Sequence, residues 1–180
     1  MSNGPVQGKA YPDNVGDRHV EGSPARDRVA SLIALVLLTL LLGVAMTGAL
    51  GGRPSPTSQV NAPAVILSVK TPRTLRNGMF FETEIGVTPR RPIKELTIAV
   101  DRTLWKDFTV NTMVPAAADE TFADGRFRFA YGAGEPGKTI VVKIDSQINP
   151  SLVGGTAGQV AVYDGDVLLA EIPITMKVRP

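Results

Sequence analysis

The sequence predicts an all-β domain, an antiparallel sandwich of seven or eight short strands, preceded by one transmembrane α-helix. Residues 29–50 form an apolar run that contains no charged residue. Beyond residue 64, apolar and polar residues alternate with a period of two in several segments, which is typical of half-buried strands. Turn residues separate these segments at intervals of about 8 to 12 residues. We therefore divide the chain into a tail (1–28), a helix (29–50), a linker (51–63) and a β-domain (64–180).

The tail at residues 1–28 mixes charges with glycine and proline and shows no apolar periodicity. Such a composition buries too little apolar surface to offset the entropy of ordering. We expect a disordered tail, and it contains the only histidine of the protein, His19.

The apolar run predicts a membrane-spanning helix. Its 22 residues would extend about 33 Å, enough for a hydrocarbon core of about 30 Å. The alternative is a cleaved signal peptide, because Thr47-Gly48-Ala49 has the small residues that a signal peptidase accepts. A 28-residue leader and a run longer than the usual 7 to 15 residues favour an uncleaved anchor, although the sequence leaves cleavage open.

Positive charge on the two sides of the helix predicts its orientation. Four basic residues precede the helix, and only two follow it over a similar distance. Because basic flanks stay in the cytoplasm, we expect a cytoplasmic amino terminus and an extracytoplasmic domain, periplasmic or at the cell surface. The basic residues are Lys9, Arg18, Arg26 and Arg28 before the helix, and Arg53 and Lys70 after it.

Small residues recur at four-residue spacing near the carboxyl end of the run, where helices can approach closely. They predict a helix-packing face toward a neighbouring membrane protein or a second copy of the chain. The alternative is that glycine and alanine are simply frequent in membrane helices. The candidates are Gly43, Thr47, Gly48 and Gly52.

Residues 51–63 hold three prolines and two glycines, which predicts a semi-extended spacer. The alternation that follows is clearest at residues 79–87, where Met, Phe, Thr, Ile and Val share one face. We expect strands near 64–71, 79–88, 93–101, 104–110, 125–131, 138–146, 157–163 and 166–178. The expected core is Phe81, Ile85, Leu96, Ile98, Val100, Phe127, Phe129, Ile140, Val142, Ile144 and Val162.

Short strands separated by turn signals favour an immunoglobulin-like sandwich. The pair Asp164-Gly165 predicts a hairpin with a type I′ turn. The Cys, Trp, Cys framework of true immunoglobulin domains is absent, and Trp105 is expected to be a packing residue.

The residue inventory excludes several chemistries. Without cysteine, and with its one histidine in the tail, the domain has neither a Ser-His-Asp nor a Cys-His arrangement, and zinc and copper sites are nearly excluded. The 19 basic and 17 acidic residues are not clustered enough for a nucleic-acid surface. No cofactor is indicated.

A short inner tail, one helix and an immunoglobulin-like outer domain resemble the copper-delivery assembly factors of cytochrome oxidases. Those factors bind Cu(I) through paired cysteines, and this sequence has none. The resemblance therefore implies an architecture and no copper site. Oxygen ligands for calcium are conceivable among the loop carboxylates, although acidic residues usually serve turns and solubility; these are Asp119, Glu120, Asp124, Asp164 and Asp166.

Counting alternate strand directions from Ala64 places Arg90, Arg91 and Arg179 at the membrane-facing end of the sandwich and Gly165 at the other. We expect these arginines to contact lipid headgroups or a partner. The sequence thus favours a non-enzymatic, membrane-tethered interaction module, an accessory or assembly subunit of an envelope complex. The main alternative is an extracytoplasmic glycan- or lipid-binding domain, and a weaker one is a hydrolase of carboxylate type. A pocket lined by aromatic residues would favour the main alternative, and an exposed apolar patch would favour a protein partner.

Overall fold

The computed structural model describes residues 24–48, 54–150, 152 and 154–180. The chain divides into two compact units, Met1–Thr47 and Gly48–Pro180. Of the predicted tail at residues 1–28, residues 1–23 lie outside the described residues, and residues 24–28 belong to the helix.

Helix α1 spans Pro24–Met46. Its segment Arg28–Met46 has a mean hydropathy of 2.7 and is solvent-exposed, so it is long and apolar enough to cross a membrane. These properties fit a membrane span and also a signal sequence. The helix ends at residue 46 instead of the predicted 50 because Gly48, at a φ of 64°, adopts the left-handed conformation that terminates helices.

The described residues of the second unit form eleven strands and one short helix, α2 (Arg102–Trp105). In chain order the strands are β1 (Thr57–Asn61), β2 (Val65–Lys70), β3 (Thr74–Arg76), β4 (Phe80–Pro89), β5 (Leu96–Asp101), β6 (Phe108–Val114), β7 (Asp119–Ala123), β8 (Arg126–Ala130), β9 (Ile140–Ile148), β10 (Thr156–Asp164) and β11 (Val167–Arg179). They form a five-stranded sheet, β1-β2-β4-β9-β6, and a six-stranded sheet, β3-β11-β10-β5-β8-β7. All neighbours are antiparallel except β3 and β11.

The predicted all-β, immunoglobulin-like sandwich is confirmed, with eleven strands in the described part of the chain instead of seven or eight. The unpredicted strands are β1, β3 and β7. Strand β1 lies inside the predicted linker at residues 51–63, so this part of the chain is a strand and not a spacer. Thr57 pairs with Lys70, and Asn61 with Ile66, along the sheet edge. The predicted strand at 104–110 is also corrected, because helix α2 precedes β6.

The core lies between the two sheets. Of the expected core residues, Phe81, Phe127 and Ile140 are only partly buried against it, and the other eight are buried. Strand β11 contributes five further buried side chains, which are Ala170, Ile172, Ile174, Met176 and Val178. Trp105 packs beside the core, with its ring 5.6 Å from that of Phe129, as expected of a packing residue.

Two hairpin turns of the β-domain differ in type. At Asp124-Gly125, between β7 and β8, both residues have positive φ (53° and 75°), which is the type I′ pattern. At the β10–β11 hairpin, Asp164 pairs with Val167, so the loop residues are Gly165 and Asp166. Only Gly165 has a positive φ there, which matches a type II′ turn and corrects the prediction.

The sandwich has a proximal end, where residues 54–56 lead into β1, and a distal end opposite it. The 90–95 loop and the β10–β11 turn are both distal, and the Gly165 amide donates to the Glu95 carbonyl at 2.9 Å. The carboxyl end of β11 is proximal, where the Asn77 amide donates to the Arg179 carbonyl at 2.8 Å. Each sheet thus sends its loops to the same two ends.

Candidate interaction surface

The three predicted contact arginines do not form one cluster. Arg90 and Arg91 are exposed on the distal loop after β4, and Arg179 is exposed at the proximal end of β11. The count that grouped them is wrong because it lacked three strands, two of which, β1 and β7, alter the alternation of directions. Strand β1 reverses every direction that follows it, and β7 restores the original alternation.

The predicted helix-packing residues lie at the end of α1. A methyl group added at Gly43 would meet nothing within 4 Å, so this position is open on the helix surface. The Thr47 hydroxyl donates to the Val44 carbonyl at 2.6 Å, and Gly48 terminates the helix. Gly52 lies outside the described residues.

Two of the five carboxylates considered for calcium, Asp164 and Asp166, bind backbone amides and an arginine instead. Asp164 Oδ1 accepts the amides of Lys94 (2.9 Å) and Glu95 (3.1 Å), which ties the hairpin to the loop before β5. Asp166 accepts from Arg128 at 3.0 Å. Among the described residues, no group of three His, Cys, Asp or Glu side chains is placed to hold a metal ion.

The outer face of the six-stranded sheet carries three buried residues. Ala99 on β5 and its register partner Ala161 on β10 are fully buried there, and Tyr163 is only 9% exposed. They are covered because β8 alternates strictly: Phe127 and Phe129 face the core, while Arg126 and Arg128 lie across the alanines. We call this set of five residues, Ala99, Arg126, Arg128, Ala161 and Tyr163, the arginine–tyrosine platform.

Arg126 is held from four directions. Its Nε contacts Asp101 Oδ1 at 2.8 Å, and Nη1 donates to the Tyr163 hydroxyl at 2.6 Å. Nη2 donates to Gln159 Oε1 at 2.9 Å and lies 3.4 Å from Glu171 Oε2. Burial lowers the pKa of Arg126, but Tyr163 and the acidic neighbours raise it above its ordinary value. The guanidinium is therefore permanently charged and fixed in orientation.

Arg128 stacks on the tyrosine. Its guanidinium carbon lies 4.7 Å from the centre of the Tyr163 ring, and Nη1 donates to Asp166 at 3.0 Å. The hydrogen bond to Asp166 raises the pKa of Arg128 against the lowering effect of burial. Its Nε is buried and has no hydrogen-bond partner among the described residues. A buried donor of this kind is costly unless another group satisfies it.

Exposed side chains surround the platform. Leu168, the register partner of Tyr163, is 46% exposed, and the adjacent Val167 is 62% exposed. Thr121, the partner of Arg128 on β7, is exposed on the other side. The sequence pattern revealed the alternation of β8, but only the sheet order places Asp101, Gln159 and Glu171 around Arg126.

A groove lies between β1 and the carboxyl half of β11, with a cavity volume of about 740 Å³. Its lining consists of proline, hydroxyl and basic residues together with an isoleucine and a glycine, without an aromatic side chain. Aromatic platforms are the usual basis of sugar binding by stacking, so the groove does not favour the glycan alternative.

Comparison with known proteins identifies no family. No protein-family model matches the chain, and no curated protein matches it. Similar solved structures include CaCohA2 from Clostridium acetobutylicum, with 14% identity, a TM-score of 0.41 and coverage of 65% of this chain and 93% of that one.

Two further similar structures are cohesins. A non-cellulosomal cohesin from Archaeoglobus fulgidus has 9% identity and a TM-score of 0.42, covering 70% of this chain and 93% of that one. A cohesin module of a family 33 glycoside hydrolase from Clostridium perfringens has 10% identity and a TM-score of 0.38, covering 71% and 100%. Similarity at this level indicates no shared partner or activity.

Proposed function

We propose that this protein is a non-enzymatic protein-binding module, tethered to the membrane by α1, that recognises a partner protein through the arginine–tyrosine platform. The observation that supports the proposal most is the fixed placement of Arg126, Arg128 and Tyr163 by their mutual contacts on one sheet face. With its domain outside the cytoplasm, the protein would act as an accessory or assembly subunit of an envelope or membrane complex.

The platform has the composition of a protein-binding hot spot. Arginine and tyrosine dominate such hot spots, which lie at the centre of an interface and are surrounded by residues that exclude water. Here Tyr163 and both arginines are already ordered by one another, so binding would immobilise few additional rotamers. Leu168 and Val167 provide the exposed apolar surface beside them.

The exposed part of the Arg128 guanidinium suggests what the partner supplies. The side chain is 16% exposed, and a carbonyl or carboxylate oxygen from the partner would accept from its accessible N–H groups while the Tyr163 ring and Asp166 hold the guanidinium in place. Hydrogen bonds to charged groups are stronger than neutral ones, about 1.5–3 kcal/mol in net contribution. The residue inventory is consistent with binding instead of catalysis, because the protein has no cysteine and its only histidine, His19, belongs to the predicted tail.

A photocrosslinking amino acid placed at Leu168 or at Val141 tests the surface. The two side chains have similar exposure (46% and 41%), but Leu168 lies on the outer face of the six-stranded sheet and Val141 on that of the five-stranded sheet. We expect a discrete crosslinked protein from position 168 only, and its loss in the Arg128→Ala variant. Equal crosslinking from both positions, or no effect of that variant, would contradict the proposed interface.

The membrane tether is tested separately. The intact chain should resist extraction by alkaline carbonate, and external protease should digest residues 64–180 in spheroplasts while sparing the tail. Release of the protein as a soluble species shortened after Ala49 would instead support a cleaved signal peptide. Protection of the β-domain would reverse the proposed orientation.

A further inference from the structure

Four basic side chains line one edge of the sandwich at its proximal end. Arg73 and Arg76 belong to the segment around β3, and Lys177 and Arg179 to the end of β11, and all four are exposed. The Lys177 amide donates to the Arg73 carbonyl at 2.8 Å, and Arg76 is the register partner of Arg179 in the parallel pair. We call these four residues the basic edge.

The basic edge lacks the acidic partners that other cations of this domain have. Arg126 and Arg128 form ion pairs with Asp101, Glu171 and Asp166, whereas no member of the basic edge forms one with a described residue. The sequence explains this difference, because segments 71–81 and 172–180 contain no Asp or Glu. Side-by-side like charges repel unless an anion lies near them.

The groove between β1 and β11 adjoins these cations. It places several hydroxyl groups beside two members of the basic edge, and its volume of about 740 Å³ is large enough for a polar headgroup. Basic side chains together with hydroxyl donors are the groups that bind phosphate oxygens. The polar lining includes Ser58, Thr71, Arg73, Thr74, Thr175 and Lys177.

Chain connectivity indicates the source of the phosphate. Ten residues, 47–56, separate the end of α1 from β1, so Thr57 lies at most about 40 Å along the chain from Met46. If α1 spans the membrane, as proposed above, the proximal end of the sandwich therefore stays within reach of the lipid surface. Anionic headgroups attract each nearby Lys or Arg by about fivefold in partitioning.

We propose that the basic edge and its groove dock on the phosphate groups of anionic lipids and so hold the sandwich with its proximal end toward the bilayer. The arginine–tyrosine platform, which lies on a sheet face, remains free for a protein partner. This inference depends on the proposed membrane tether but not on the proposed protein interface.

The test uses the full chain reconstituted in vesicles of phosphatidylcholine, with or without phosphatidylglycerol. Because the protein has no cysteine, Met79→Cys and Glu135→Cys allow single fluorophores at the exposed proximal and distal ends, respectively. Energy transfer to a lipid-borne acceptor reports the distance of each label from the bilayer. We expect phosphatidylglycerol to bring position 79 closer to the lipid but not position 135, and 1 M salt to abolish the change.

Arg76→Glu and Arg90→Glu form a matched pair with the same change in charge. Arg76→Glu should lower the ratio of docked to undocked protein about 25-fold, while the distal Arg90→Glu should leave this ratio unchanged. Normal folding of the Arg76→Glu variant would exclude misfolding as the cause of that loss. The introduced glutamate would lie opposite Arg179, and this pairing of opposite charges should raise the stability of the variant.

Three results would overturn the inference. One is an equal distance of position 79 from the two kinds of vesicle. Another is the same effect of both variants. Loss of a crosslinked acidic protein in Arg76→Glu, without any dependence on lipid charge, would assign the basic edge to a protein and also overturn it. Failure of the membrane tether would appear earlier, as a chain that does not remain in carbonate-washed vesicles.

Discussion

Replacing Phe129 by alanine should strongly destabilise the β-domain. The Phe129 side chain is only 7% exposed, on the core face of β8, and its ring lies 5.6 Å from that of Trp105. Emptying such a site costs about 3–5 kcal/mol in the free energy of unfolding, from lost transfer energy and the remaining cavity. This is a large part of the 5–15 kcal/mol that is typical of a domain.

Urea denaturation of the full chain in detergent micelles measures the effect. Trp105 is the only tryptophan of the protein, so its fluorescence reports directly on the packing around Phe129. With a slope of about 1–3 kcal/mol per molar urea, the midpoint should fall by about 2 M. Phe122→Ala is the control, because Phe122 is 54% exposed at the sheet edge and should cost under about 1.5 kcal/mol. A loss below about 1 kcal/mol for Phe129→Ala, or an equal loss for both variants, would refute the assigned face of β8.

Three further outcomes follow from the geometry. Asp101→Asn should lower the free energy of unfolding by about 1–3 kcal/mol, because its 2.8 Å ion pair with Arg126 is largely shielded from solvent (22% and 18% exposed). A double-mutant cycle with Arg126→Met, measured by urea titration, should show coupling, and its absence would mean that solvent already screens the pair. Gly155→Ala should cost more than about 3 kcal/mol in thermal unfolding, since φ is 134° and the new Cβ would lie 2.1 Å from a backbone oxygen, whereas Gly132→Ala, at φ 75° in open space, should cost about 1 kcal/mol. Burial raises the pKa of Tyr131 to about 12, from about 10 in the unfolded chain, so its contribution to stability should be present below pH ~10 and be lost as the pH rises toward 12. Tyr131→Phe should remove this part of the loss, and a pH profile unchanged by that substitution would contradict the prediction.

The alternating segments were sufficient to predict most of the sandwich. Strands β2, β4, β8, β9 and β10 lie within two residues of their predicted positions, because each places apolar side chains on the core face. The unpredicted strands lack this apolar alternation. Strand β1 is TSQVN and β7 is DETFA, both with mostly polar side chains at sheet edges, and β3 has three residues. Backbone pairing with a neighbour forms these strands, and no apolar period marks them.

The missing edge strands also explain the error in the candidate site. A prediction that depends on alternating directions changes sign with each overlooked strand that reverses the chain, as β1 and β7 do, whereas β3 runs in the same direction as β2. Arg90 and Arg91 were therefore assigned to the wrong end relative to Arg179, while Gly165 and Arg179 kept their opposite ends. The basic edge was not predicted, because its two halves lie about a hundred residues apart in the chain.

The sequence alone determined the properties that depend on local pattern and inventory. These are the apolar helix, the all-β class, most of the core and the lack of cysteine and of histidine in the β-domain, each of which follows from short-range periodicity or from counting. Only the tertiary structure decided which strands are neighbours. Arg126 meets Asp101 and Tyr163, and Arg76 meets Arg179, because hydrogen-bonded ladders join segments that are distant in sequence. Pairing of this kind depends on register and sheet order, which leave no periodic trace in either partner strand.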